Sequence, residues 1–239
     1  MANTILHKAA DRGHADFGWL NSYHSFSFGH YYNPGKMGFG LLRVLNDDVV
    51  RGGTGFGKHP HDNMEIISIP LEGDLQHQDS IGNVATIRQG DIQVMSAGTG
   101  VQHSEHNKNH DQEVKFLQIW IYPNKMNVAP RYDQKPIDQG QNELKQILSP
   151  NPDSEGVWVY QDAWMHWGNF EEGAGTDYSF HKTGNGVYAF VLEGAFEVEG
   201  QQLERRDALG VWETDKLTLK ATAPGSRILL IEVPMEMNP

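Results

Sequence analysis

The chain has 239 residues, a formal net charge of −12, and a hydrophobic content of 38%. This length allows one or two packed domains, and the acidic charge argues against a protein that grips nucleic acid directly, since such proteins normally present a basic face. The longest basic run, Arg205-Arg206, is expected on a solvated hairpin. The sequence contains no Cys, which excludes disulfides and thiolate metal ligands.

The beginning of the chain shows no export signal. The stretch Met1-Ala-Asn-Thr-Ile-Leu-His-Lys lacks the apolar segment of a signal peptide. Apolar runs reach only about six residues, as in 187–192, whereas a membrane-spanning helix needs roughly 18 or more. We therefore expect a soluble, cytoplasmic protein without membrane contact, and the absence of Cys favours the same location.

Short apolar strands separated by glycine-containing turns are characteristic of residues 1–128. Strand patterns cover 38–45, 64–71, 91–95 and 116–122. Turn residues recur at intervals of about 8 to 12 residues, which is typical of all-β sandwiches and barrels. Asp47-Asp48 is expected to form a turn before the strand that leads to Gly53.

Aromatic and histidine side chains are frequent near the N-terminus. Four aromatic residues are expected to pack in the core, although they could instead form a wall of a substrate cleft: Trp19, Tyr23, Phe26 and Phe28. Four histidines are expected to be structural or to face solvent: His7, His14, His24 and His30.

Two short clusters of potential metal ligands lie about 40 residues apart. The first contains His59, His61 and Glu65, and the second contains His103 and Glu105. Within each cluster the residue numbers share one parity, and residues two apart project from the same face of a strand. Neighbouring strands could thus direct both clusters into one cavity. Imidazole and carboxylate without thiolate suit a mid-first-row divalent metal, so the sequence predicts one metal site in a β-barrel.

Three other histidines are candidates for a role near this site. His77 has the parity of the ligands and could orient a ligand or the substrate, but an exposed hairpin position is the favoured interpretation. His106 and His110 have a helical spacing of four, yet the sequence around them is typical of a polar loop. A second metal site there is therefore the less favoured alternative.

Residues 129–150 differ in composition from the segments on either side. They contain Pro130, Pro136 and Pro150, with many Gln and Asn and few large aliphatic side chains. This composition predicts a connector, with one short helix near 141–148.

A second run of strand patterns occupies residues 151–239. The predicted strands are 156–161, 177–181, 186–192, 195–198, 217–221 and 227–233. The string L-E-G at 71–73 recurs at 192–194, each time after an apolar strand. This weak internal repeat predicts that a second, similar barrel follows the first.

The second barrel is predicted to have no metal ligands. Aligning the two L-E-G strings places other residue types at the five candidate positions: Phe180, Lys182, Gly186, Leu219 and Ala221. The alignment has two to three residues of slack, so His181 could face inward, but one histidine does not form a site. The second half is therefore expected to be a structural partner of the first.

The two clusters and the glycines around them resemble the paired motifs of the cupin superfamily. The first motif is Gly53-x5-His59-x-His61-x3-Glu65, and the second is Gly90-x5-Ser96-x-Gly98-x4-His103-x-Glu105. The strings H-P-H, M-S-A-G-T-G and H-S-E resemble the pirin branch in particular. So do G-W-L-N-S-Y-H-S-F-S-F, which ends at Phe28, and the segment that ends at Val49.

The resemblance to pirins implies a fold and a ligand set. The fold is all-β, a bicupin of two stacked antiparallel barrels of the jelly-roll type with few short helices. It implies a metal-binding barrel over 1–128, a connector over 129–150 and a barrel without metal ligands over 151–239. The implied ligands are His59, His61, His103 and Glu105, whereas the position of Glu65 is generally not a ligand in pirins.

The resemblance also implies an activity. Bacterial pirin-like proteins include quercetin 2,3-dioxygenases, which open the central ring of a flavonol with O2 and release carbon monoxide. By this analogy the partners are a small aromatic substrate and O2, and Glu105 could accept the proton of the substrate hydroxyl. Fe(II) is the first choice of metal, and Ni, Mn, Co, Cu and Zn suit the same ligands.

Other functions remain open at this stage. The protein could be an iron-dependent redox sensor that binds a protein partner, as eukaryotic pirin resembles a partner of transcription factors. It could also be a cupin isomerase or small-molecule binder that uses the same ligands without O2.

Overall fold

The protein is built almost entirely from β-strands, as predicted. A computed structural model describes residues 2–236, in which 22 strands, numbered β1 to β22 along the chain, accompany one short 3₁₀ turn at Ala9–Asp11. Among these residues no helix is long and apolar enough to cross a membrane. The described strands form two seven-stranded and two four-stranded sheets.

The first half contains one sheet of each size. Its large sheet has the order β12-β9-β6-β11-β4-β3-β2. These strands are β2 (Gly13–Asp16), β3 (Leu20–His24), β4 (Leu42–Val50), β6 (Glu65–Glu72), β9 (Asp91–Ser96), β11 (Val114–Ile121) and β12 (Arg131–Pro136). Its small sheet, in the order β5-β10-β7-β8, consists of β5 (Gly55–His61), β7 (Leu75–Asp79), β8 (Val84–Ile87) and β10 (Val101–Asn107).

The second half repeats this arrangement. Its large sheet has the order β1-β20-β17-β22-β15-β13-β14. These strands are β1 (Asn3–His7), β13 (Glu143–Ser149), β14 (Val157–Trp158), β15 (Trp164–Phe170), β17 (Asn185–Glu193), β20 (Ala208–Trp212) and β22 (Ser226–Pro234). Its small sheet, in the order β16-β21-β18-β19, consists of β16 (Gly175–Ser179), β18 (Phe196–Val198), β19 (Gln201–Leu203) and β21 (Lys216–Ala221).

Apolar cores fill the spaces between the sheets. Phe116 of the large sheet packs in one cluster with Leu75 of the small sheet in the first half, and Leu230 and Phe196 do the same in the second half. The largest cluster joins the two large sheets, with alternate residues of β11 and β22 on the two facing surfaces. The large sheets therefore pack against each other with a small sheet outside each, which is the predicted bicupin.

The N-terminal strand belongs to a sheet of the second half, and the segment 129–150 supplies one strand to each half. β1 pairs with β20, with Thr4 opposite Val211, so that the N-terminal residues complete a sheet of the second half. β12 pairs with β9 of the first half, and β13 pairs with β15 of the second half. Both β12 and β13 lie largely within 129–150, where the sequence suggested a connector. The division into 1–128, 129–150 and 151–239 stays a prediction.

The short helix predicted near 141–148 is wrong, because residues 143–149 form β13. Glu, Leu, Lys and Gln favour helices in isolation, but pairing with β15 and burial between the large sheets decide the conformation here. Ile147 and Leu148 are at most 2% exposed in the cluster between those sheets.

Two further expectations about charged residues are wrong in whole or in part. Asp47 and Asp48 lie within β4 and not in a turn, because the inward alternation of Val44, Asn46, Asp48 and Val50 continues the strand. The expected solvated position is confirmed for Arg205, which is exposed, and is wrong for Arg206, which is only 5% exposed. Its Nε donates to Asp47 Oδ2 at 2.7 Å, and this ion pair connects the two halves. A buried charge is tolerated when it is paired in this way.

Candidate metal centre

Three histidines meet on the inner face of the small sheet of the first half. β5 and β10 run antiparallel with His59 opposite His103 and with His61 opposite Val101. The His59 and His103 ring centroids are 4.4 Å apart, and those of His61 and His103 are 4.9 Å apart. One ligand atom from each of the three residues lies within 4.8 Å of the others. The structure thus brings together the three imidazoles that strand parity had predicted to share a face.

A β-bulge in β5 shapes the approach of this strand to β10. The register shifts between the His59–His103 pair and the Phe56–Glu105 pair, so β5 has one more residue than β10 over this interval. Within the bulge, the carbonyl of Gly57 accepts a hydrogen bond from His59 Nδ1 at 2.7 Å. This assigned tautomer leaves Nε2 of His59 with a free lone pair. Bulges commonly redirect side chains at functional sites.

The histidine nitrogens are available for a metal. Nε2 of His61 and both ring nitrogens of His103 are buried without a hydrogen-bond partner. Burial lowers the pKa of His61 to about 4 and that of His103 to about 3, so both rings are neutral at neutral pH. Buried polar atoms without partners are rare in native proteins, and neutral imidazole is the form that binds metals. The residues present therefore fit a divalent transition metal.

Glu105 lies beside the triad but is not one of its members. It is 2% exposed, and its carboxylate falls outside the group of ligand atoms formed by the histidines. Oε1 accepts a hydrogen bond from Ser68 Oγ at 2.9 Å, and Oε2 accepts one from Gln118 Nε2 at 2.8 Å. Coordination by Glu105 stays a prediction.

Glu65 turns away from the histidines. Its carboxyl accepts a hydrogen bond from Ser96 Oγ at 2.7 Å, and Arg131 lies close enough to act on it electrostatically. Burial raises the pKa of Glu65 to about 7. Of the two carboxylates considered from the sequence, only Glu105 lies next to the candidate site.

His77 is buried next to the triad, so its favoured assignment to an exposed hairpin is wrong. It is 0% exposed and lies opposite Glu105 in the β7–β10 pair. Its ring centroid is 5.3 Å from that of His103, and its Nε2 is 3.1 Å from Asp79 Oδ2. His77 is buried because its position in β7 has the same parity as the ligands, so its side chain projects into the barrel. His106 and His110 are exposed and contribute to no three-residue ligand group among residues 2–236.

A cavity of about 780 Å³ is lined by His59 and His61 of the triad and by Glu105. Its aromatic lining includes Trp19, Phe28 and Trp120. The expectation of core packing is correct for Phe26, which is 1% exposed, and for Trp19, which packs against the core of the first half and also lines the cavity. It is wrong for Phe28, which lines the cavity, and for Tyr23, which is 36% exposed. Trp19 and Phe28 face the cavity, whereas Phe26 between them faces the core.

Several polar residues of the cavity were missed from the sequence. They are His14, Ser22, His24, His30, Asn46, Asp48 and Gln118. The alternation of β3 and β4 carried the signal, since Leu20, Ser22 and His24 share the inward parity. Without the pairing of β3 with β4, this parity could not be assigned to the cavity face.

The interior of the second half contains a closed hydrogen-bond network around Glu232, which is 0% exposed. Its carboxylate accepts hydrogen bonds from Tyr178 Oη at 2.8 Å, His181 Nδ1 at 2.9 Å and Asn185 Nδ2 at 2.9 Å. His181 thus directs Nδ1 to the interior, as the slack in the alignment allowed, while its side chain stays 32% exposed. The described residues offer no three-residue ligand group here.

The fold and the histidine triad together define a bicupin with a candidate metal centre in its first half. The family described as Pirin matches residues 6–121, and the quercetinase C-terminal cupin domain matches residues 146–233. The chain is 39% identical over 232 residues to quercetin 2,3-dioxygenase of Escherichia coli strain K12, covering 96% of this chain and 98% of that one. It is 36% identical over 221 residues to a pirin-like protein of Caulobacter vibrioides, covering 91% and 94%.

A solved structure supports the same relationship. The bacterial pirin of Escherichia coli in complex with nickel(II) is 38% identical, superposes with a TM-score of 0.92, and matches over 97% of this chain and 99% of that one. The chain therefore belongs to the pirin family.

Proposed function

We propose that the protein is a metal-dependent dioxygenase that cleaves a flavonol such as quercetin with O2 and releases carbon monoxide. The observation that carries this proposal is the convergence of His59, His61 and His103. Two of these residues, His59 and His61, line a cavity that is also lined by aromatic rings. Relatives named quercetin 2,3-dioxygenase support the reaction class. The ring-opened ester and carbon monoxide account for all atoms of the flavonol and O2.

The three imidazoles would hold a divalent metal, with Glu105 as a fourth ligand. When bound, the metal would lower the pKa of a substrate hydroxyl and hold the substrate beside O2. The nickel complex of the Escherichia coli pirin supports a divalent ion at this kind of site. Fe(II) is the metal we propose first, and Ni, Mn, Co, Cu and Zn are compatible with the same ligand types.

Glu105 is proposed to accept the proton of the flavonol hydroxyl. Its oxygens each receive one hydrogen bond, from Ser68 and from Gln118, and an ionised carboxylate has further lone pairs for a proton. The two donors fix the orientation of the carboxylate, which is what a general base requires. The base therefore acts from a fixed position beside the triad.

Aromatic side chains are proposed to position the planar substrate. Trp120 contacts Phe28 edge to face, with 5.5 Å between ring centroids, and Trp19 contacts Phe56 in the same way at 5.2 Å. Aromatic surfaces of this kind favour flat, apolar rings. A substrate held between them would also exclude water from the candidate site.

Loss of the quercetin absorption band tests this proposal. The protein is loaded with each candidate metal in turn, and the band is followed with and without O2. We expect the band to disappear only when both metal and O2 are present. Loss of the band at an equal rate without O2 would contradict dioxygenation and favour another reaction at the same site.

Two further assignments are proposed with this function. The second half is proposed to bind no metal and to serve as a structural partner of the first. The protein is proposed to act in the cytoplasm, which the absence of Cys from the sequence supports.

A further inference from the structure

A row of polar side chains crosses the inner face of the large sheet in the first half. His24 of β3 lies opposite Asn46 of β4. Asn46 lies opposite Gln118 of β11, and Gln118 lies opposite Ser68 of β6. Directly paired residues of antiparallel strands project from the same face. The four side chains therefore form one line across four neighbouring strands inside the barrel.

The two ends of this row differ in their hydrogen bonding. Ser68 and Gln118 both donate to Glu105, so the end near the candidate metal centre is satisfied. At the other end, Asn46 Oδ1 and His24 Nδ1 are buried without a partner. Asn46 is 2% exposed and His24 is 4% exposed, and both line the cavity. Unpartnered polar atoms on a cavity wall are available to a ligand.

The chemistry of these two residues defines what they can bind. The amide oxygen of Asn46 accepts a hydrogen bond. Burial lowers the pKa of His24, so its neutral ring has one donor and one acceptor nitrogen. A hydroxyl group is both a donor and an acceptor, and it matches this pair. The neighbouring Ser22 hydroxyl already donates to Asp48, so on β3 and β4 the unpaired groups of the cavity wall belong to Asn46 and His24.

The position of the pair indicates where that hydroxyl lies on the ligand. Neighbouring strands are about 4.8 Å apart, so β3 is roughly 10 Å from β11, whose Gln118 contacts Glu105. His24 also packs edge to face against Phe28, with 5.3 Å between ring centroids. A planar aromatic ligand with one end at the triad would thus carry its remote ring towards His24 and Asn46.

We propose that His24 and Asn46 form a hydroxyl-recognition subsite that selects aromatic substrates with a hydroxyl on the ring remote from the metal. This inference rests on the proposed function and deepens it, because it defines which flavonols the cavity distinguishes. The subsite contacts a hydroxyl of the ligand and contributes to the affinity of binding.

Anaerobic binding to the metal-loaded protein tests the subsite without turnover. The probes are quercetin, which has hydroxyls on both outer rings, and 3-hydroxyflavone, which has no hydroxyl on either outer ring. Quenching of tryptophan fluorescence reports the dissociation constants. Asn46→Leu keeps the approximate volume but removes the amide, and we expect it to weaken quercetin binding about 10-fold or more. Binding of 3-hydroxyflavone should change less than about 3-fold because it makes no such contact.

Two further variants make the test specific. His24→Phe should show the same selective loss, and it serves if Asn46→Leu does not fold. Gln78→Leu makes a similar substitution at an exposed position of β7, away from the residues that line the cavity, and should alter neither dissociation constant. Circular dichroism and metal content are compared for all variants.

The possible results separate the two proposals. Equal losses for both ligands, or no loss for either, would overturn the subsite while leaving the proposed function standing. If the wild-type protein binds neither ligand, the proposed function and the subsite both fail.

Discussion

The side-chain amide of Gln118 donates a hydrogen bond to the carboxylate of Glu105, with 2.8 Å between Nε2 and Oε2. The hydroxyl of Ser68 donates to the other oxygen at 2.9 Å. These donors come from β11 and β6 of the large sheet, while Glu105 belongs to β10 of the small sheet. Two side chains of the large sheet therefore hold the Glu105 carboxylate of the small sheet in one orientation.

Replacing Glu105 with Gln should slow flavonol cleavage more than it weakens metal binding. Glutamine keeps an oxygen ligand but cannot accept the substrate proton, and general-base catalysis contributes typically about 10²- to 10⁴-fold. Steady-state rates are compared at matched metal content. Glu65→Gln is the control, because Glu65 bonds to Ser96 away from the triad, and its rate should stay close to that of the wild type. Equal rates for wild type and Glu105→Gln would remove the proposed base.

The double substitution His59→Ala, His61→Ala should abolish most metal binding. It removes two of the three imidazoles that meet within 4.8 Å, whereas the apolar cores on either side of the large sheets stay intact. Elemental analysis and circular dichroism measure metal content and folding. His106→Ala is the matched control, since His106 is exposed on the outer face of β10. Full metal occupancy in the double variant would refute the ligand assignment.

Asp48→Asn should flatten the pH dependence of stability. Burial raises the pKa of Asp48 from 3.8 to about 7 in the folded protein. The folded state thus keeps a proton that the unfolded chain loses, so this group's contribution to stability is full below about pH 4 and is lost as pH rises to about 7. The difference in free energy of unfolding between Asp48→Asn and the wild type should therefore depend on pH. Between pH 4 and pH 8 it should shift in favour of the variant by up to roughly 4 kcal/mol.

Urea unfolding of metal-free protein at pH 4, 6 and 8 measures this effect. The electrostatic neighbours of Asp48 are Asp47 and Glu105, and Ser22 donates a hydrogen bond to it. Asp215→Asn, at an exposed position, is the control and should run parallel to the wild type. Parallel curves for Asp48→Asn as well would show that Asp48 is ionised in the folded protein throughout this range.

Glu232→Leu should destabilise the protein without reducing its metal content. The substitution leaves the buried donors of Tyr178 and Asn185, and the partly exposed ring of His181, without their acceptor. Each unsatisfied buried group costs about 1 to 3 kcal/mol, so a loss of about 3 kcal/mol or more is expected in urea unfolding. Glu197→Leu, at an exposed position of β18, is the control. A variant as stable as the wild type would show that the network contributes nothing to folding.

The parts of the site predicted from sequence are those set by local geometry. His59 and His61 share a face because strands have a period of two, and His103 joins them through one strand pairing. The repeat of L-E-G was also informative, because Gly73 and Gly194 both adopt positive φ after equivalent apolar strands. Local patterns of this kind depend on the chain within a few residues.

The features that sequence missed depend on distant pairings. Residues 143–149 are a strand because β15 lies beside them, and nothing within the segment itself requires this. His24 and Asn46 reach the cavity because β3 pairs with β4, and Arg206 is buried because Asp47 of the other half faces it. Each outcome joins segments far apart in the chain, so no local pattern could specify it.

Gas stoichiometry tests the proposed dioxygenase most directly. O2 consumption and carbon monoxide release are measured with quercetin for the Fe(II)-loaded wild type and for the double variant His59→Ala, His61→Ala. The wild type should consume O2 and release carbon monoxide in equal amounts for each quercetin cleaved, and the double variant should do neither above the rate of free metal. Absence of O2 uptake by the wild type with any of the candidate metals, or equal activity of the double variant, would contradict a flavonol dioxygenase at this triad.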